Sequence, residues 1–180
     1  MSLVAEEARV RAGTADDLAT VAEIFAHYVL RSVATFEETP PSVRDWQGKF
    51  DAATEHRLPF LVAEADRRVV GYAYASPWRP KPAYRHTVED SVYLSPDWTG
   101  RGLGRLLLAE LIARSQRAGA RQMVAVIADS GDPASATLHR RLGFADAGRL
   151  ARVGFKHGRW IDTLLLQRDL TEESEASRAF

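Results

Sequence analysis

The chain has 180 residues, 46% hydrophobic and 27% charged, as expected of a soluble globular protein. Its 24 basic and 24 acidic residues cancel, which argues against a protein dominated by polyanion binding. The absence of cysteine excludes disulfides, thiolate catalysis and cysteine-ligated metal.

A chain this long hides roughly 70% of its unfolded surface, so one core suffices. A single domain over residues 8–170 is expected, followed by a solvated tail over residues 171–180 that carries Glu172, Glu173, Glu175 and Arg178. No apolar run approaches the ~20 residues needed to cross a bilayer. Glu6 and Glu7 stand where a signal peptide would be basic and then apolar, so the expected address is cytoplasmic.

Strand and helix patterns alternate along the chain. Ala8 to Ala12 reads as a short strand. Thr14 is placed to cap a helix, with Asp16 and Asp17 in its first turn and Leu18, Val21, Ile24, Phe25 and Tyr28 on its buried face. A second helix is expected after Ser42, with Val43, Trp46 and Phe50 on one side. Phe60 to Ala65 and Val69 to Ser76 flank Asp66-Arg67-Arg68 in a hairpin pattern. Thr87 to Leu94 is the next strand, with Thr87, Glu89, Ser91 and Tyr93 on one face and Val88, Asp90, Val92 and Leu94 on the other.

A helical run follows, with Leu103, Leu106, Leu107, Leu111 and Ile112 as its apolar stripe and Gly119 as its stop. Gln122 to Ala128 reads as a buried strand, and Ala134 to Leu142 as a short helix closed by Gly143. Two last strands are expected near Phe144 to Leu150 and Ile161 to Arg168. The fold class is α/β (α+β), a single domain with a central mixed sheet flanked by helices.

Gly100-Arg101-Gly102-Leu103-Gly104-Arg105 lies between strand and helix. Glycines admit a ligand close to the backbone, and the amides sit at the positive end of the helix dipole, an anion site in form. The bland alternative is a tight turn that needs glycine for its geometry. Gly104 is followed by Arg105-Leu106 rather than Lys and Ser or Thr, and the glycines are spaced Gly-x-Gly-x-Gly, so neither nucleotide-phosphate pattern fits. The pyrophosphate arm of coenzyme A remains.

Val92 through Arg105 resembles the central motif of the Gcn5-related N-acetyltransferase superfamily. Four further stretches resemble its phosphinothricin (methionine sulfoximine) N-acetyltransferase branch. They are Thr35-Phe36-Glu37-Glu38; Ser76-Pro77-Trp78-Arg79-Pro80 with Ala83-Tyr84-Arg85; Thr87-Val88-Glu89-Asp90-Ser91-Val92-Tyr93; and Gly154-Phe155-Lys156-His157-Gly158-Arg159-Trp160. The resemblance implies acetyl-CoA as cosubstrate, held by strand backbone at Val92, Tyr93 and Leu94 and by loop amides at Gly100, Arg101, Gly102, Leu103, Gly104 and Arg105. Thr99 stands where the superfamily loop has Arg or Gln. A second motif, Asn-x-x-Ala/Ser with Tyr or His four residues later, maps to Asp132, Ser135 and His139, with Asp132 in place of the Asn whose amide would donate to the pantetheine arm.

An α-amino group is mostly protonated near neutral pH, so direct acyl transfer needs a proton acceptor. Glu89 interrupts a β-rich run and, by resemblance, is that base; the alternative is a surface acid. Asp90 faces the other way and is expected to be a structural or surface acid. The resemblance gives His139 a supporting role, hydrogen-bonding at the reaction centre or helping to protonate the leaving thiolate. Arg79, Pro80, Lys81, Tyr84 and Arg85 form a basic, aromatic stretch suited to an anionic amino-acid analogue, or else a proline-stiffened solvated loop. Phe36 is expected as an apolar wall or a core aromatic, and Asp129 and Ser130 as further substrate contacts. Phe155 to Trp160 is expected as a lid or dimer contact, with Lys156 and His157 either engaged there or solvated.

His27, His56, His86 and His157 lack ligand spacing with nearby acids, so no metal is expected. A small amino-acid-like substrate and a homodimer are expected, with no nucleic-acid or membrane partner. The leading expectation is acetylation of the α-amino group of phosphinothricin, methionine sulfoximine or methionine sulfone, a detoxification conferring herbicide resistance. The alternatives are the same fold acting on another amine, or a non-catalytic acyl-CoA-binding module.

Overall fold

The computed structural model describes residues 8–171; the expected tail lies outside them apart from its first residue, Thr171. The strands are β1 (Arg9–Ala12), β2 (Phe60–Ala65), β3 (Arg68–Pro77), β4 (Thr87–Leu94), β5 (Gln122–Ala128), β6 (Ala145–Lys156) and β7 (Arg159–Asp169), and the helices α1 (Leu18–Arg31), α2 (Val43–Glu55), α3 (Leu103–Arg117) and α4 (Ala134–Arg141). One seven-stranded sheet runs in the order β1-β2-β3-β4-β5-β7-β6. Every neighbouring pair is antiparallel except β4 and β5, whose parallel pairing requires the crossover through α3.

Two apolar layers sandwich the sheet. On one face Leu18, Val21, Phe25 and Val29 of α1 and Trp46 of α2 pack on Phe60, Val62 and Tyr72. On the other, Leu103, Leu107, Leu108, Leu111 and Ile112 of α3 and Ala136 of α4 pack on Leu61, Ala73, Val88, Met123 and Leu166. Each strand's alternation serves both layers, so the central strands are apolar on both faces.

Local chemistry explains where the elements begin. Thr14 starts a single 3-10 turn, Ala15–Asp17, that leads into α1. Asp17 turns back to accept from the Thr14 amide at 2.8 Å and from Arg11, so its carboxylate is buried rather than solvated at the helix end. Ser42 caps α2 by accepting from the Asp45 amide at 3.2 Å, while Asp45 accepts from the Ser42 amide at 2.8 Å, a reciprocal capping box.

Several expected positions shift. Val43 and Leu106 are exposed, and Leu108 takes the place in the stripe expected of Leu106. Leu106 and Leu108 lie on opposite flanks of the face that Leu103, Leu107 and Leu111 define, and the packed side extends towards Ile112, the flank that carries Leu108. The last two strands are longer than their apolar runs, because β6 and β7 continue as a hairpin past Ile161 to a turn at His157 and Gly158, both at positive φ. Phe155 to Trp160 is therefore the end of a β-hairpin.

Candidate active site

The site begins where the sheet comes apart. β4 and β5 pair only through Thr87–Gln122, Val88–Met123 and Glu89–Val124. Both strands run on, β4 to Leu94 and β5 to Ala128, without further pairs between them. The result is a splayed opening with strand backbone on each side.

Alternation decides which β4 groups face it. The Trp78 amide donates to the Thr87 carbonyl and the Ser95 amide to Val70, so odd-numbered residues direct their backbone groups to β3. The His86 carbonyl accepts from Arg121 and Gln122, so even-numbered residues face the β5 side. Asp90, Val92 and Leu94 thus present amides and carbonyls to the opening. The Tyr93 backbone, by contrast, is directed to its partner Tyr72 on β3. The expectation for Leu94 is narrowed, since its carbonyl already accepts from the Tyr28 hydroxyl at 2.5 Å.

Below the opening stands the N-terminus of α3. Gly100 and Gly102 adopt φ of +72° and +83°, the left-handed region that disfavours a side chain, and open space surrounds both. Gly102 is the cap residue, and the Leu106 amide makes the first bond back to its carbonyl. The amides of Leu103, Gly104 and Arg105 therefore lack intrahelical acceptors and point out of the helix end. Arg105 is exposed, and the Arg101 guanidinium lies 4.5 Å from the centre of the Trp98 ring. Thr99, in the Arg/Gln position, uses its hydroxyl locally on the Pro96 carbonyl at 3.0 Å.

Glu89 occupies the last paired rung, at the apex of the splay and opposite Ser76 of β3. It is half-buried on the Ser91 and Tyr93 face. Burial and the neighbouring Asp90 push its carboxyl above the ordinary range, while the positive charge of Arg79 pulls it back. A carboxylate so placed is a stronger base than one in water.

Asp90 is buried on the opposite face. Its carboxylate meets His139 Nε2 at 2.8 Å, and His139 Nδ1 meets the Ser135 carbonyl at 2.7 Å. Both partners are acceptors, so the ring satisfies both only as an imidazolium. Burial is the largest single influence and opposes that charge, but Asp90 and the Ser135 carbonyl together raise the His139 pKa. The expected contact from His139 to the reaction centre therefore meets a ring with both nitrogens already bonded and an edge covered by Phe144. Asp90, expected as a structural or surface acid, is the structural one, and His139 is its partner.

The remaining expected residues divide. Arg79, Pro80, Lys81, Tyr84 and Arg85 form an exposed turn leading into β4, with Arg79 stacked on Trp78 at 4.9 Å and Arg85 bonded to the Pro82 carbonyl. Arg79 is the member that acts electrostatically on Glu89. Asp129 is held by Arg149 at 2.8 Å, and Arg149 also grips Asp162, so its carboxylate serves the β5–β7 region first. The Ser130 hydroxyl accepts from the Asp132 amide, and Asp132 Oδ1 accepts from the Ala134 amide at 2.9 Å. Asp132 thus holds the entry to α4, using its acceptor in place of the amide donor it lacks. Phe36 is partly exposed, and its ring fills the place a Cβ on Gly154 would take. Lys156 is buried, not solvated, and donates to the Thr35 carbonyl at 2.8 Å. That contact had no signal beyond the Gly154 to Trp160 motif.

A splayed parallel pair, a glycine-opened helix end beneath it and a carboxylate at the apex form one arrangement, and residues 21–144 match the family model described as acetyltransferase (GNAT) family. The chain belongs to the GNAT acetyltransferase family. This family member is an N-acetyltransferase. It is 49% identical over 161 residues to a phosphinothricin N-acetyltransferase of Alcaligenes faecalis, covering 89% of this chain and 82% of that one. It is 42% identical over 164 residues to an L-methionine sulfoximine/L-methionine sulfone acetyltransferase of Pseudomonas paraeruginosa, covering 91% and 95%. A phosphinothricin acetyltransferase structure from Sinorhizobium meliloti, in complex with AcCoA, superposes with a TM-score of 0.87 at 46% identity, covering 93% of this chain and 94% of that one.

Proposed function

We propose that this N-acetyltransferase moves the acetyl group of acetyl-CoA directly to the α-amino group of phosphinothricin, methionine sulfoximine or methionine sulfone-like amino acids. The carrying observation is Glu89, half-buried at the apex of the β4–β5 splay with its pKa raised and Arg79 nearby. The opening and the glycine loop fit acetyl-CoA: the free edge at Asp90 and Val92 suits an amide-bearing arm, and the outward amides of α3 suit a pyrophosphate.

In this reading acetyl-CoA supplies a thioester whose carbonyl carbon is open to attack. Glu89 takes a proton from the ammonium form of the acceptor, releasing the nitrogen lone pair. The C–N bond forms as the C–S bond breaks; the nitrogen then sheds its second proton as it becomes the amide, and the departing thiolate takes up one proton to leave as free thiol. Arg79 offers the acceptor's acidic groups a bidentate cation close to that base. No side chain is acylated; holding the two reactants together is the main contribution.

Blocking the free amine of such analogues is detoxification, and the protein would confer herbicide resistance from the cytoplasm. A homodimer fits the exposed Leu150, Val153, Phe155 and Trp160 on the β6–β7 hairpin, too much apolar surface for one hairpin facing water.

Thiol release from acetyl-CoA tests the reading, with phosphinothricin, methionine sulfoximine, methionine sulfone, ordinary amino acids, spermidine and an aminoglycoside as acceptors. Selective turnover of the first three is expected. Glu89→Gln should lower turnover at neutral pH about 10²–10⁴-fold with acetyl-CoA affinity unchanged. Turnover confined to other amines refutes the acceptor, and an active Glu89→Gln refutes the base.

A further inference from the structure

Lys156 has no part in the chemistry above, yet it is only 3% exposed. Burying an ammonium is unfavourable unless it is well bonded. Here Nζ donates to the Thr35 carbonyl, burial pulls the group's pKa down, and Glu38 and Glu37 oppose that pull from the same segment as Thr35. The Thr35 side chain also acts on the Tyr93 hydroxyl of β4, drawing its pKa down against burial.

These contacts are topologically unexpected. β6 lies three strands from β4, with β5 and β7 between them, a span of roughly 14 Å in a flat sheet. A shared contact at Thr35 requires the hairpin end to leave the sheet plane. β5 ends at Ala128, opposite Thr163, so the hairpin from Gly154 to Trp160 runs past the end of β5, on the side where the splay is open. There it meets the α1–α2 connection from Ser32 to Pro41, with Phe36 seated on Gly154. The connection therefore crosses from Tyr93, on the Glu89 face of β4, to the hairpin, and borders the mouth of the opening.

We propose that Lys156 is a positioning residue for acceptor recognition, fixing the Thr35–Phe36 segment as the wall of the acceptor side through its bond to the Thr35 carbonyl. Gly154 is the second half of this clamp, since only a residue without a side chain leaves room for the Phe36 ring. The inference rests on the acceptor reading given above for its effect on turnover, but the clamp itself is measurable without turnover.

The test uses Lys156→Met, Lys156→Arg and Gly154→Ala in the full chain. Amide hydrogen exchange of residues 34–38 is followed by mass spectrometry, beside steady-state kinetics for phosphinothricin and acetyl-CoA. Lys156→Met and Gly154→Ala are expected to speed exchange in that segment about tenfold, the scale of one lost hydrogen bond. They should raise the acceptor KM by a similar factor while the acetyl-CoA KM stays within about twofold, and Lys156→Arg should restore most of both effects. Unchanged exchange overturns the clamp. Faster exchange with an unchanged acceptor KM overturns its role in recognition, as does equal loss for both substrates, which makes it a general support. If Lys156→Met does not fold, Gly154→Ala decides, because it displaces Phe36 without removing the ammonium. Wild-type silence towards the amino-acid analogues would sink the acceptor reading alone, with the exchange data still deciding the clamp.

Discussion

Replacing Asp90 by asparagine should reverse the sign with which His139 couples folding to pH. In the native protein His139 is held between two acceptors, the Asp90 carboxylate and the Ser135 carbonyl, with its side chain 5% exposed and that of Asp90 3% exposed. In Asp90→Asn the new amide can turn to donate to Nε2 while Nδ1–H still serves Ser135, so the neutral ring is fully satisfied and the shape is kept. With the carboxylate gone, burial remains as the dominant influence, and it lowers a histidine pKa.

A folded-state pKa above the unfolded value of about 6.5 means the native state binds the extra proton. Its stabilisation is complete below pH ~6.5 and is lost as pH rises through the folded pKa, at up to about 1.4 kcal/mol per pH unit. In Asp90→Asn the folded pKa falls below the unfolded one, so stability should instead rise with pH up to ~6.5 and then level off. Urea unfolding of both proteins from pH 5 to 9 gives the difference curve, in which other groups cancel. Imidazole ¹⁵N shifts of His139 report its charge directly. A neutral His139 in the native protein at pH 6, or stability curves of the same slope for the two proteins, would refute the imidazolium and the pairing that requires it.

Arg79 and Gly102 give two further expectations. Arg79 holds the Glu89 carboxyl down against burial, so Arg79→Ala should move the acidic limb of the kcat/KM profile to higher pH, and a downward shift would disprove that coupling. Gly102→Ala places a Cβ on a left-handed cap at φ +83°; a loss of about 1–2 kcal/mol by chemical denaturation is expected, together with weaker acetyl-CoA binding by calorimetry. Full retention of both would mean that the loop relaxes freely.

The parts of this protein legible in its sequence are those governed by local rules. The Ser42 cap, the β4 boundaries at Thr87 and Leu94, and the opposite facing of Glu89 and Asp90 follow from spacing and side-chain chemistry within a few residues. Leu106 escapes such rules because it and Leu108 flank the Leu107 face equally, and only the side on which the helix packs decides between them. The partnership of Asp90 with His139 joins positions 49 residues apart, and that of Lys156 with Thr35 spans 121. Neither pair has a local signature, since each exists only once the sheet order is set. The pairing of Tyr93 with Tyr72 is hidden for a related reason: the side to which a strand residue directs its backbone depends on its neighbours, which its own sequence does not show.

β4 divides its labour by parity. Odd side chains, Glu89 among them, lie on the α1–α2 face of the sheet; even side chains enter the α3 core or meet His139; even backbone groups line the opening. Backbone groups are the same whatever the side chain. Substitutions at Ser91 or in the Arg79–Arg85 turn therefore change the chemistry of the Glu89 face while the backbone edge at the opening stays constant. A single inserted residue would do the opposite, exchanging all three roles at once. Diversification of this chain is thus open to point substitution and closed to small insertions within β4, a constraint that arises from hydrogen-bond parity alone.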